Sequence, residues 1–191
     1  GHPFNTYRKE IGGIVRVRLA ELVPRNEPMM LGGIVVSART QMTRRGRMSI
    51  VLIDDGTAQV EVSIFNELFE QCRDVIREDQ PIVVLGKVQK DEFSGGFRIT
   101  AESIYDLAAL RSRFARELKL SMNGEADAQK LATLLGPYRN GVLSVQVRYQ
   151  KHNAICEARL GESWKISPEE PLISALTDWL TAENVEIVYS S

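Results

Sequence analysis

Residues 29–65 read MMLGGIVVSARTQMTRRGRMSIVLIDDGTAQVEVSIF, and the fold turns on how they are read. Two apolar runs, Met29–Ala38 and Met48–Ile53, precede a third from Ala58 to Phe65 in which polar and apolar residues alternate. That alternation is the period of a half-buried strand. Between the first two runs lies Arg39-Thr-Gln-Met-Thr-Arg-Arg-Gly-Arg47, with four arginines and no acid. Between the second and third, Asp55-Gly56 offers the positive-φ positions of a tight hairpin turn. The stretch predicts a three-stranded antiparallel meander with a basic loop over 39–47.

Downstream, Leu68, Phe69, Cys72, Val75 and Ile76 fall on one helical stripe, with Asn66 as the expected N-cap. Strands are expected over Ile82–Lys90 and Phe97–Ile104, joined by the glycine-containing loop Asp91–Gly96. Three strands, a helix and two strands is the chain order of an OB-fold. That fold is a five-stranded Greek-key barrel whose strands 2 and 3 and flanking loops bind oligonucleotides.

Working outward, residues 1–28 read as a lead-in or linker. A helix end or linker covers 1–12, suggesting a fragment of a longer chain, and Ile14–Leu22 reads as a short edge strand or a cover broken by Pro24 and Pro28. The barrel is assigned 29–105, a connecting helix 106–120, and a second domain 121–191. In the latter a strand around Leu118–Met122, a helix over Ala126–Tyr138, strands at Val142–Tyr149 and Ala154–Leu160, a helix opened by Pro168 and Pro171, and a strand Val185–Tyr189 follow one another. The order βαββαβ predicts a small α/β sandwich of split-βαβ, ferredoxin-like type. The whole is α+β and mainly β.

With 191 residues, 43% hydrophobic and 26% charged, the chain has the composition of a globular protein with one large or two small domains. Its net charge of −1 rules out a uniform polycation, but the charge is uneven. Residues 1–120 hold 18 of the 24 Lys and Arg against 16 acids, and residues 121–191 hold 6 against 9, so different partners are expected for the two halves. Cys72 and Cys156 lack metal-ligand spacing, which predicts no metal site and no disulfide, with Cys156 a buried structural thiol. No membrane-length apolar run and no signal peptide are present, and a cytoplasmic location is expected.

Arg39, Arg44, Arg45 and Arg47 suit successive phosphates, and Lys87, Lys90 and Arg98 extend the basic path over strands 4 and 5. Phe93 and Phe97 either stack bases or pack on the barrel. Asp54 and Asp55 are adjacent on a strand, so they point to opposite faces and read as a turn rather than a metal site. No catalytic apparatus, metal site or cofactor motif is recognised. In the second domain, Trp164 and Trp179 are each core or contact residues, and Val185, Ile187 and Tyr189 lie on a terminal strand that either pairs with a partner or closes the sheet.

These residues resemble a known family. Gly33-Ile-Val-Val36, Arg39, Thr43-Arg-Arg-Gly46, Asp54-Asp55, Glu61, Phe65, Gly86-Lys-Val88 and Phe93-Ser-Gly-Gly96 resemble the OB domain of the α subunit of bacterial DNA polymerase III. Gly1-His2-Pro3-Phe4 with Tyr7 is similar to the segment leading into that domain. Leu160-Gly-Glu-Ser-Trp164-Lys-Ile-Ser-Pro168 and Val185-Glu-Ile187 resemble the C-terminal domain of the proteobacterial form. The resemblance implies a non-catalytic fragment, because the family's metal-binding aspartates and internal clamp-binding motif lie upstream. It further implies an OB domain on the single-stranded template, and a C-terminal domain bound to the τ subunit of the clamp loader among other replisome subunits. Arg44 stands where many members carry Lys; either charge meets a phosphate, and Arg adds a bidentate option. Two other readings of the residues stay open: an RNA-binding accessory barrel of the anticodon-binding type, and an adaptor that contacts only protein.

Overall fold

The computed structural model describes residues 1–123 and 127–190. The chain divides into two compact units, Gly1–Leu107 and Ala108–Ser191.

The first unit is a closed barrel of β1 (Met29–Thr43), β2 (Gly46–Asp54), β3 (Gln59–Phe65), β4 (Pro81–Lys90) and β5 (Phe97–Tyr105). Its strand order is β1-β2-β3-β5-β4, closed by β1 pairing with β4. The β3–β5 contact is parallel and the others antiparallel, which is the OB topology. Alternate residues Leu31, Val35, Val51, Ile53, Val62, Ile64, Val84, Val88 and Ile99 fill the interior. Helix α2 (Asn66–Cys72) and a following 3₁₀ turn, Arg73–Val75, add Leu68, Phe69, Cys72 and Val75 to that core. Asn66 is the first helical residue and Phe65 occupies the cap position, without a side-chain cap.

Residues 1–28 belong to this unit and are not a linker. Helix α1 (Asn5–Ile11) lies on β1 at Gly32, where a Cβ would sit 2.8 Å from the Phe4 ring and 3.4 Å from Ile11. Phe4 and Ile11 are each 2% exposed, and only a glycine lets them approach the strand so closely. Of the edge strand or cover expected over Ile14–Leu22, the cover is what forms, an irregular segment with a 3₁₀ turn at Leu19–Glu21 whose Leu19 and Leu22 join the barrel core.

In the second unit, α3 (Leu107–Phe114) ends well before Lys119, and β6 (Ala115–Asn123) takes over the rest of the expected connecting helix. There follow α4 (Ala128–Leu135), β7 (Ser144–Lys151), β8 (Ala154–Arg159), α5 (Glu170–Leu180) and β9 (Val185–Tyr189). The Asp127 carboxylate caps α4 by accepting from Lys130 N; the expected helix start at Ala126 lies outside the described residues. The order βαββαβ stands, but the sheet order is β8-β7-β6-β9, with β6 and β7 adjacent and parallel. The βαβ unit is therefore not split as in a ferredoxin-like sheet; β8 lies outside β7 instead of between β6 and β7. Leu118, Leu120, Leu131, Leu135, Val145, Leu172, Leu176, Ile187 and Tyr189 are buried core residues of this unit. Every residue of β8 is exposed, Cys156 included, so Cys156 is not the buried thiol expected.

Candidate nucleic-acid interface

The basic stretch is a strand hairpin rather than a loop. β1 runs to Thr43 and β2 starts at Gly46, so only Arg44 and Arg45 form the turn, while Arg39 and Arg47 stand on strands. Gly46 takes φ of 104°, the left-handed backbone that follows a tight turn in many hairpins. The Thr43 hydroxyl braces the turn, donating to the Gly46 carbonyl at 2.8 Å and accepting from Arg45 N at 3.2 Å. From Val36 to Met42 every residue of β1 is exposed, while its β2 partners Ser49, Ile50 and Val51 stay buried and paired with β3, so the hairpin projects as an arm only past Met48. A break in the β1–β2 register between Val35 and Ser37 marks where β1 parts from β4, its last paired residue there being Ile34.

Pairing across the barrel sets out one outward-facing row. Arg39 pairs with Ile50, Ile50 with Ser63, Ser63 with Thr100 and Thr100 with Lys87. The residues next to this row on β2, β3, β5 and β4, namely Val51, Val62, Ile99 and Val88, are at most 2% exposed and point inward, so the row lies on the outer side of the wall, where Ile50 is itself covered at 8% exposure. At roughly 4.8 Å per strand it runs roughly 19 Å around the wall of the closed barrel, with a cation on its first and last strands. Because β3 and β5 run parallel, the basic arm and the Asp91–Gly96 turn flank the row from opposite sides. On the arm side the next paired positions are Gln41, Met48 and Phe65. Phe65 faces outward there by strict alternation with Ile64, a placement legible only once the register is known.

Electrostatically the cations are available. Arg39 lies 3.5 Å from Glu61 and both are more than half exposed, an exchangeable pair worth about 0–1 kcal/mol. Among the described residues none forms an ion pair with Arg44, Arg45 or Arg47. Arg98 and Lys90 are exposed on β5 and β4, and Lys87 is half-buried. The Asp91 carboxylate organises the far turn, accepting from Phe93 N at 3.1 Å and the Ser94 hydroxyl at 2.9 Å. The Phe93 hydrogen bond, then that of Ser94, hold its pKa below the usual 3.8. Phe93 is 101% exposed at the tip and Phe97 49% exposed, so neither packs into the barrel.

The Asp54–Asp55 pair belongs to the fold. Asp54 accepts from Gly56 N at 2.7 Å and from the Gln59 amide at 3.0 Å, and lies 3.2 Å from His2. Asp55 is 1% exposed. It accepts from Leu19 N at 2.9 Å and from the Thr57 backbone and hydroxyl at 2.8 and 2.6 Å, with Arg8 at 3.7 Å. Burial opposes its ionisation, but the hydrogen bonds from Leu19, Thr57 and Ala58 together prevail and hold its pKa below 3.8. This anchor between the lead-in and the barrel had no signal in the sequence beyond the turn itself.

In the second unit both tryptophans are half-buried under cations, Trp164 with Arg139 at 4.1 Å and Trp179 with Lys130 at 5.0 Å from the ring centres. Ile187 and Tyr189 are 6% and 8% exposed, so they are core residues and not the contact side chains expected. Their strand β9 is an edge of the sheet, and Val185 remains half-buried on it.

Two family models match: an OB-fold nucleic acid binding domain over residues 30–107, and the C-terminal domain of DNA polymerase III subunit alpha over residues 130–180. The DNA polymerase III subunit alpha of Escherichia coli K12 is 34% identical over 99% of this chain, and that of Vibrio cholerae 32% identical over 100% of this chain. The chain belongs to the DNA polymerase III α-subunit family. It spans 17% of the length of both relatives, and its first unit is the OB-fold part of that α-subunit segment. Among solved structures, the second OB-fold domain of replication protein A from Methanococcus maripaludis aligns with 48% of this chain and 93% of its own at TM-score 0.38 and 18% identity. The OB assignment rests on the strand order of the barrel itself. No helix among the described residues is long and apolar enough to cross a membrane.

Proposed function

We propose that the barrel of this α-subunit segment binds single-stranded DNA without sequence preference, and that the second unit attaches the polypeptide to the τ subunit of the clamp loader. The chain contributes binding in the cytoplasm, and the polymerase chemistry belongs to other parts of the longer protein. The observation that carries the reading is the arm, whose Arg44, Arg45 and Arg47 project beside an outward row that runs from Arg39 to Lys87. Phosphate contacts by such cations release counterions and make binding salt-dependent. Phe93 and Phe97 offer exposed rings for stacking. Two rings together with an arginine turn support sequence-tolerant binding, since backbone contacts carry no base information.

For the second unit, the support is its edge strands and the half-buried Trp164 and Val185. Fluorescence anisotropy of the chain with oligo-dT, an RNA stem-loop of equal length and τ tests the reading. Preference for the stem-loop would instead favour an anticodon-type barrel, and failure to bind any polynucleotide at low salt would favour a protein adaptor.

A further inference from the structure

The segment ahead of β1 is held against the outer end of β4. Arg25 N donates to the Val88 carbonyl at 3.0 Å, which occupies a β4 backbone group beyond the reach of β1, since β1 begins opposite Gly86. Pro24, Arg25, Asn26 and Glu27 on one side and Lys87, Val88, Gln89 and Lys90 on the other line an open groove of ≈ 680 Å³. Three of the lining side chains are cationic and one is acidic. Arg25 is half exposed, and its recorded ion-pair partner Glu27 sits 3.9 Å away at 84% exposure. Lys87 also ends the outward row that starts at Arg39, so groove and row share a residue. From Lys87 to Lys90 the groove follows β4 toward the turn that carries Phe93.

We infer that this groove is a second phosphate-binding segment, through which a single strand laid along the row leaves the barrel, with Arg25 as a contact residue. This rests on the reading of the barrel as a strand-binding module. A polyanion displaces Glu27 from Arg25, because an exposed pair at that distance is held by little and a phosphate offers Arg bidentate bonds. Glu27 is then the groove's one opposing charge, and it limits affinity. The roughly 19 Å row and the groove together fall within the span of about 4–16 nucleotides that OB barrels occupy.

The test uses the full chain, oligo-dT of about 16 nucleotides and anisotropy at several salt concentrations. Glu27→Gln tightens binding by about 3- to 5-fold, a gain that misfolding does not produce, and Arg25→Ala with Lys90→Ala weakens it roughly 20-fold and flattens the salt slope by about 1.4. Arg44→Ala/Arg45→Ala/Arg47→Ala serves as the control for the parent reading. If that control loses affinity while Glu27→Gln and the Arg25/Lys90 pair match the unaltered chain, the groove proposal is overturned and the barrel reading stands. If no variant changes binding, the barrel reading falls with it.

Discussion

At one end of β2 lie Arg44 and Arg45, on an arm whose β1 strand is exposed from Val36 to Met42, with no ion-pair partner among the described residues. At the other end lie Asp54 and Asp55, where one carboxylate is 1% exposed and accepts hydrogen bonds from Leu19, Thr57 and Ala58. Both turns are short, glycine-containing and charged. What separates them is where their polar groups are satisfied: the aspartates find partners inside the chain, and the arginines have solvent or a ligand. A run of charge in a hairpin is thus informative about function only after its hydrogen bonds have been accounted for.

The sharpest way to break this contrast is to exchange effects between the two ends. Asp55→Ala leaves the Leu19 and Thr57 donors without their acceptor and frees the lead-in, with an expected loss of about 3 kcal/mol in urea unfolding of the barrel. Binding by the fraction still folded stays unchanged. Arg44→Ala/Arg45→Ala/Arg47→Ala does the reverse, with stability within about 0.5 kcal/mol of the parent and oligo-dT affinity down roughly 100-fold near 0.1 M salt. Phe93→Ala, at the opposite flank, is expected to cost about 1 kcal/mol of binding by loss of one stacked base, again with unfolding unaffected. A destabilised Phe93→Ala protein would mean that the ring packs on something in solution.

Acid sharpens the comparison further. Asp54 and Asp55 both titrate below 3.8 when folded. For Asp54 the Gln59 hydrogen bond is the leading cause; for Asp55, burial is outweighed by its hydrogen bonds. The unfolded chain therefore binds protons first as pH falls, and the stability these groups contribute is complete above pH 3.8 and lost as pH drops through their folded values. Barrel stability followed by circular dichroism should decline below about pH 4, and less steeply in Asp55→Asn. The smallest effect is expected at Glu61→Gln, whose exposed pair with Arg39 contributes about 0–1 kcal/mol.

The barrel was legible because its strands alternate: Val51, Ile53, Val62 and Ile64 declare an interior face, and Asp55-Gly56 a turn. The arm was legible in charge but not in shape. Arg39–Thr43 has no apolar period on either face, because neither face is buried, so a strand there looks like a loop. In the lead-in the helix and the cover were legible as alternatives, but not their place in the barrel core. Phe4, Ile11, Leu19 and Leu22 are buried but follow no single period, and their contact surface depends on the missing side chain of Gly32. In the second unit the element order followed from the sequence, while the neighbour of each strand did not. Whether β7 or β8 lies beside β6 is decided by the crossover through α4, and either order satisfies the alternation of Leu118, Leu120 and Val145. Ile187 and Tyr189 alternate on β9 as a core face does, but a terminal strand with that pattern serves equally to pair with a partner or to close the sheet.

The central claim is that the arm grips phosphate, and the slope of log affinity against log salt for oligo-dT tests it most directly. The unaltered chain and Arg44→Ala/Arg45→Ala/Arg47→Ala should differ in slope by about 2, at about 0.7 per lost contact. Parallel lines of equal height would contradict it.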